Sequence, residues 1–298
     1  MSAPTRASIA GRAYLDLRKL ARKNKRPVDE LLQLYVLEAF LVRLAGSRFA
    51  GQLVLKGGVL LAAFGERRAT RDIDLQGQAI ENDVESIRAT ACEIATIALE
   101  DGVIFDVEMA RAEEIRDEEI YAGVRVTMQA RLASARHHFH VDMNVGDPIS
   151  PVPKDMRLPR LLGGEIVLLG YPLAMVHAEK IVTAIARGTV NTRWRDFADV
   201  YMLSRRHVID GTELARSTCR VAEHRQVQLL SLVEVLCGPW GDRSAEMGGV
   251  APQAEARGPF AGAVWRCRLG GHRLRRSSDR RLRQRSLVGP SHWRLVMM

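Results

Sequence analysis

Two aspartates, Asp72 and Asp74 in the run Arg71-Asp72-Ile73-Asp74-Leu75, are the residues of this chain best suited to chemistry. Alternate residues of a β-strand point to the same face. This spacing therefore puts both carboxylates on one side and Ile73 and Leu75 on the other. Two carboxylates side by side repel, and a divalent cation relieves the repulsion. Mg²⁺ takes one or two carboxylates and completes its shell with substrate phosphate oxygens, so the pair suits a site for a nucleoside triphosphate. Asp142 is the candidate third carboxylate. It lies on the polar side of a second alternating segment, with His138, His140 and Asn144, opposite Phe139, Val141, Met143 and Val145. A sheet that sets this strand beside the first yields the metal set Asp72, Asp74 and Asp142. Such a set serves two-metal transfer, one cation activating a hydroxyl and the other holding the triphosphate. The plainer alternative is three solvated aspartates on sheet edges.

Other residues have two readings each. Gly57-Gly58, in Leu55-Lys56-Gly57-Gly58-Val59-Leu60, forms either a backbone nest for phosphate or a tight turn. The segment lacks the Lys-Ser/Thr ending of a P-loop. Thr70 binds a phosphate oxygen or caps a turn. His138, His140 and Asp142 have the alternation of a zinc face, but no separate His or Cys cluster supplies further ligands. Lys180 follows Glu179 in an apolar helical segment, where a lysine either snorkels to water or presents a compact cation to a triphosphate. Asp196 and Asp199, three apart, share one helix face, as catalytic groups or as an ordinary ion-paired surface.

These residues need elements to position them. Apolar spacing predicts helices over 8–24, 28–46 (amphipathic, with one face on the core), 82–99, 172–186 and 193–206. Strands are expected at 71–75, 103–109, 123–131 and 137–145, the last two alternating with period two and forming an antiparallel pair, while Leu53-Val54-Leu55 leads into the glycine pair and Val59 to Phe64 opens a helix. The acidic stretch 113–119 reads as a loop. The prolines of Asp147-Pro148 and Pro151-Val152-Pro153 predict a boundary near 150–158, followed by a helical half. The organisation read from this is N-terminal helices at 1–48, a catalytic core at 49–152, a helical domain at 153–237 and an atypical tail at 238–298.

Bulk composition narrows the class. The chain has 298 residues and is 47% hydrophobic, enough for a sizeable core. Its apolar runs are far too short to span a bilayer, and the N-terminus has no apolar segment of signal-peptide type. No membrane association is expected, and the cytoplasm is the expected location. The four cysteines are scattered, without metal or disulfide spacing. The net charge of +9 is unevenly placed: residues 238–298 carry 12 Arg, no Lys and 4 acidic residues, whereas the preceding 237 carry 32 basic and 31 acidic. Basic charge therefore argues for nucleic acid only in the tail. That tail reads as a low-complexity appendage, or as out-of-frame translation of a GC-rich coding sequence.

In order along the chain stand Leu55-Lys56-Gly57-Gly58, then Arg68-x-Thr70-Arg71-Asp72-Ile73-Asp74-Leu75, then Glu179-Lys180, then Arg195-Asp196-x-x-Asp199-Val200. The four-part order resembles the AbiEii family of nucleotidyltransferase toxins, to which the MenT toxins of mycobacteria belong, and the resemblance spans roughly 30–205. It implies an α+β fold: a polymerase-β-like nucleotidyltransferase core with a mixed sheet, followed by a helical C-terminal domain. It implies a toxin that moves NMP from NTP to the 3′ end of tRNA with Mg²⁺, and a cognate antitoxin with a winged-helix DNA-binding domain. By motif, Asp72, Asp74, Lys180 and Asp199 would be catalytic. Lys56, Gly57, Gly58, Thr70, Arg71 and Lys180 would surround the nucleotide. Basic residues of the body, among them Arg67, Arg68, Arg71 and Arg195, would face the acceptor. Two alternatives remain open: transfer to a protein side chain, and an inactive remnant that only binds its antitoxin.

Overall fold

A computed structural model describes residues 4–115, 123–187 and 194–230. The chain divides into two units, Met1–Pro172 and Leu173–Met298.

The first unit opens with α1 (Ile9–Asn24) and α2 (Val28–Ala45). Ser8 caps α1 by accepting from the Gly11 N–H, which satisfies one of the helix's orphan donors. Next come β1 (Leu53–Lys56), the single turn α3 (Gly57–Leu60), which runs on as a 3₁₀ turn over Leu61–Phe64, and β2 (Asp72–Gly77). Helix α4 (Val84–Thr96) begins at Asp83, whose carboxylate accepts from the Glu85 and Ser86 N–H groups. Strands β3 (Val103–Ile115), β4 (Gly123–Leu132) and β5 (Ala135–Val145) follow, then β6 (Lys154–Pro159) and β7 (Glu165–Gly170). The seven strands make one mixed sheet in the order β3-β4-β5-β2-β1-β7-β6. Strand β2 lies near its middle, antiparallel to β1 and parallel to β5. The α+β class is as expected.

Helix α2 departs from the expected one-sided amphipathic helix. Every residue from Leu31 to Leu41 is buried, because α1, α4 and strands of the sheet all pack around it. Its Phe40 meets Phe105 and Phe139 edge-on, with ring centroids 6.1 and 5.9 Å away, and those two rings meet each other at 5.7 Å. Arg43 of α2 forks onto Asp101, with Nη2 3.2 Å from Oδ1, and its guanidinium lies 4.9 Å from the Phe105 ring centroid. Glu38 accepts from Arg67 and from the Leu161 N–H. Burial pushes the Glu38 carboxyl above its ordinary pKa, and Arg67 and the Leu161 N–H act against that rise.

Beyond residue 150 the chain does not pass directly into helices. It returns to the sheet as β6 and β7, with β7 parallel to β1. The alternation from Glu165 to Gly170 is short, exposed Glu165 and Val167 alternating with buried Ile166 and Leu168. The prolines at 148–153 mark a turn between strands rather than the end of the unit. Strand β3 likewise runs to Ile115, through the start of the acidic stretch read as a loop.

The described residues of the second unit form three helices and no strand: α5 (Leu173–Arg187), α6 (Trp194–Arg206) and α7 (Gly211–His224). Ile181, Ile185 and Leu214 are buried together, joined by Ile209, Val227 and Leu229. The readings of the tail at 238–298 lie outside the described residues, as does Arg193. No helix among the described residues is long and apolar enough to cross a membrane.

Candidate active site

Burial and register explain how β2 presents its carboxylates. Ile73 and Leu75 are fully buried, which fixes the strand's face. Asp72 and Asp74 are half-buried on the opposite face. Across the ladders Asp74 stands against Lys56 of β1 and Asp142 of β5, and Asp142 in turn against Arg125 of β4. Lys56, Asp74, Asp142 and Arg125 thus form one charged row over four adjacent strands. Asp72 pairs with His140 in the next row.

The glycine turn is built against this row. Gly57 has φ +65°, a left-handed conformation that side chains resist, and a Cβ there would fall 1.8 Å from Asp74 Oδ2. The glycine therefore leaves room for the carboxylate itself. At Gly58 a Cβ would meet the Arg68 guanidinium at 3.0–3.1 Å. Two carboxylates on one strand face, beside backbone without a side chain, fit a Mg²⁺ ion completed by phosphate oxygens.

The expected third metal ligand is engaged elsewhere. Both oxygens of Asp142 accept from Arg125, Oδ1 from Nε at 2.8 Å and Oδ2 from Nη2 at 2.7 Å. Among the described residues no group of three or more His, Cys, Asp or Glu is arranged to hold a metal. Of the set Asp72, Asp74 and Asp142 read in the sequence, one member is thus engaged by Arg125. The reason is lateral register: β4 supplies a guanidinium to the far side of β5. Donating to Asp142 raises the Arg125 pKa above its ordinary value, and the charges of Asp72 and Asp74 add to the rise. Strand β5 also carries the residues of the zinc alternative. His140 Nδ1 lies 3.0 Å from Thr127 Oγ1, and His137 is buried on the other side of the strand.

The remaining nucleotide candidates are placed differently from one another. Lys56 is buried, its Nζ 3.6 Å from Asp147 Oδ2 and 5.7 Å from the Tyr171 ring centroid. The Thr70 hydroxyl lies 3.3 Å from the Asp72 N–H and 3.4 Å from its carbonyl, a local turn leading into β2. Arg71 is exposed, and its carbonyl accepts from the His140 N–H at 3.1 Å. Arg67 donates to Glu38 and the Pro159 carbonyl, so it is a strut between elements and not open basic surface.

In the second unit Lys180 neither snorkels to water nor stands alone. Its Nζ donates to Asp196 Oδ1 at 2.6 Å and Asp199 Oδ2 at 2.8 Å, and its side chain is 10% exposed. The i,i+3 spacing on α6 turns both carboxylates to the same ammonium. One residue of these charged groups, Arg125, is absent from the site read in the sequence. It had a visible sign, since it alternates with Thr127 on the polar side of its strand.

The model of the family described as nucleotidyl transferase AbiEii toxin, type IV toxin–antitoxin system, matches residues 39–258. No curated protein matches the chain. Similar solved structures include JHP933 from Helicobacter pylori, at 13% identity and TM-score 0.44 over 66% of this chain and 74% of that one. An antigenic nucleotidyltransferase-like protein from Paracoccidioides brasiliensis gives 10% identity and TM-score 0.40, covering 65% and 89%. The antibiotic-resistance factor ANT(2'')-Ia gives 15% and 0.36, covering 66% and 93%.

Proposed function

Because the chain belongs to the AbiEii family of nucleotidyl transferase toxins of type IV toxin–antitoxin systems, we propose that it transfers NMP from an NTP to the 3′ end of tRNA and so blocks translation. The chain is a nucleotidyltransferase. The tRNA acceptor, the Mg²⁺ and the role of each residue are this proposal. One observation carries it: Asp72 and Asp74 share a strand face directly beside Gly57, whose missing side chain makes room for Asp74.

Asp72 and Asp74 hold the cation. When bound, Mg²⁺ neutralises triphosphate charge and polarises the reacting phosphate. The acceptor's 3′-hydroxyl attacks the α-phosphorus, the bond to the β-phosphate oxygen breaks, the hydroxyl proton passes to solvent and pyrophosphate leaves. Within the first unit the chain contributes position and fixed charge. Gly57 and Gly58 let backbone approach phosphate, and Thr70 shapes the turn that delivers Asp72 to β2. Lys180 and Asp199 are assigned to phosphate binding and to the late essential carboxylate on their family motif, with Asp196 and Asp199 fixing the ammonium. The antitoxin partner that the family implies is assigned a winged-helix DNA-binding domain, and the site of action is the cytoplasm.

The test is transfer of label from α-labelled NTPs to total tRNA with Mg²⁺. Wild type labels tRNA, and Asp72→Ala and Lys180→Ala fall by roughly a hundredfold or more, the scale of losing a group that organises charge at the reacting phosphate. No label from wild type, or equal label from Asp72→Ala, refutes the proposal. Label in protein instead of tRNA refutes the acceptor alone.

A further inference from the structure

Asp142 poses a question that the proposed reaction leaves open. It is the carboxylate directly beside Asp74 in the β2–β5 ladder, yet both of its oxygens are held by one guanidinium. The contact is a parallel two-bond fork, a geometry that arginine supplies and lysine does not. The pair is set by cross-strand register, and the Asp142 side chain is only 11% exposed. Opening such a pair leaves a buried carboxylate uncompensated, which is costly. Asp142 and Arg125 offset one another in formal charge, and Asp72 and Asp74 remain as the two half-buried carboxylates on one face of β2.

We propose that Arg125 is a positioning residue that keeps Asp142 out of the metal shell, so that the first unit takes one divalent cation on Asp72 and Asp74 and not two cations on three carboxylates. The guanidinium is a permanent positive charge that occupies both oxygens of Asp142 from the β4 side. It arrives with the fold, requires no free metal, and cannot be deprotonated in the protein. Lys56, at the other end of the row, has its ammonium 3.6 Å from Asp147 Oδ2. The inference rests on the proposed nucleotide reading of Asp72 and Asp74, and it adds the number of cations and the residue that sets that number.

The experiment is Mn²⁺ binding to the full chain without nucleotide, followed by electron paramagnetic resonance of free Mn²⁺ and by calorimetry. Wild type takes up one Mn²⁺ per chain, and Asp74→Asn weakens it by at least about tenfold. The deciding variant is the charge-balanced double substitution Arg125→Met with Asp142→Asn, which removes the ion pair and leaves the formal charge of the row unchanged. Its Mn²⁺ affinity stays within about threefold of wild type, since distant charge is conserved and no ligand is lost. Arg125→Met alone frees Asp142 and tightens Mn²⁺ by roughly tenfold or adds a second ion.

Two Mn²⁺ ions on the wild-type chain, a reading that needs no variant to fold, overturn the inference. So does a double variant that retains its melting temperature and loses Mn²⁺ as Asp74→Asn does, because Asp142 is then a ligand. In both cases uptake persists in wild type and the Asp72/Asp74 site stands. No uptake by wild type overturns that site and the inference together.

Discussion

Substituting Gly57 by alanine separates the work of one glycine into a backbone part and a site part. At φ +65° an L-residue pays about 1–2 kcal/mol for the left-handed conformation. The added methyl would also lie 1.8 Å from Asp74 Oδ2, 2.5 Å from its Cγ and 2.8 Å from its Cβ. Ordinary non-bonded contact is about 3.5 Å, so the carboxylate must retreat by more than about 1 Å. A displacement of that size in a reacting site costs about a hundredfold in rate. Gly57→Ala is therefore expected to remain folded, to lose about 1–3 kcal/mol in urea denaturation, and to transfer label to tRNA about a hundred times more slowly. Gly65→Ala is the control. Gly65 has φ +79° and nothing within 4 Å of the position a Cβ would take, so it carries the backbone cost with no steric conflict and keeps wild-type activity. The reasoning is refuted by a folded Gly57→Ala enzyme within threefold of wild type, or by Gly65→Ala losing as much activity as Gly57→Ala.

Two further outcomes concern stability. Asp101→Ala strands the Arg43 guanidinium, whose side chain is 3% exposed, and is expected to cost about 3–5 kcal/mol, read as a fall in the urea midpoint at unchanged slope. Burial lowers the pKa of His177 and of His137 below the ordinary histidine value. The unfolded chain therefore takes up these protons first, at about pH 6.5. Stability is complete above that pH and declines as pH falls toward the folded-state values, by at most about 1.4 kcal/mol per pH unit for each histidine. Melting temperatures from pH 7 to 5 check this, and His177→Gln flattens the decline.

Much of the site was legible as local pattern. Alternation around Ile73 and Leu75 puts Asp72 and Asp74 on one face whatever lies beside them, because strand periodicity is a property of the backbone. The helical spacing of Asp196 and Asp199 likewise shows in the chain alone. Gly57-Gly58 marks a close approach, though not of which group. Strands β6 and β7 were harder to see, since six residues of alternation behind a proline-rich stretch resemble the start of a linker.

The sequence by itself determined the candidate carboxylates, the glycine turn and the α+β class, because each follows from residue type and a period of two or of about four. Tertiary structure decided what each charged group faces. Asp142 has the spacing of a metal ligand, and only the β4–β5 register, which matches Arg125 to it, makes it half of an ion pair. Lys56 sits beside the glycine turn in sequence, yet packing sends its ammonium to Asp147 and Tyr171. Lys180 and Asp199 lie nineteen residues apart and meet only because α5 and α6 pack together. Periodicity fixes which way a side chain leaves its own backbone. Its electrostatic partner comes from a neighbouring strand or helix, and that neighbour is chosen by the burial of apolar residues on the opposite face.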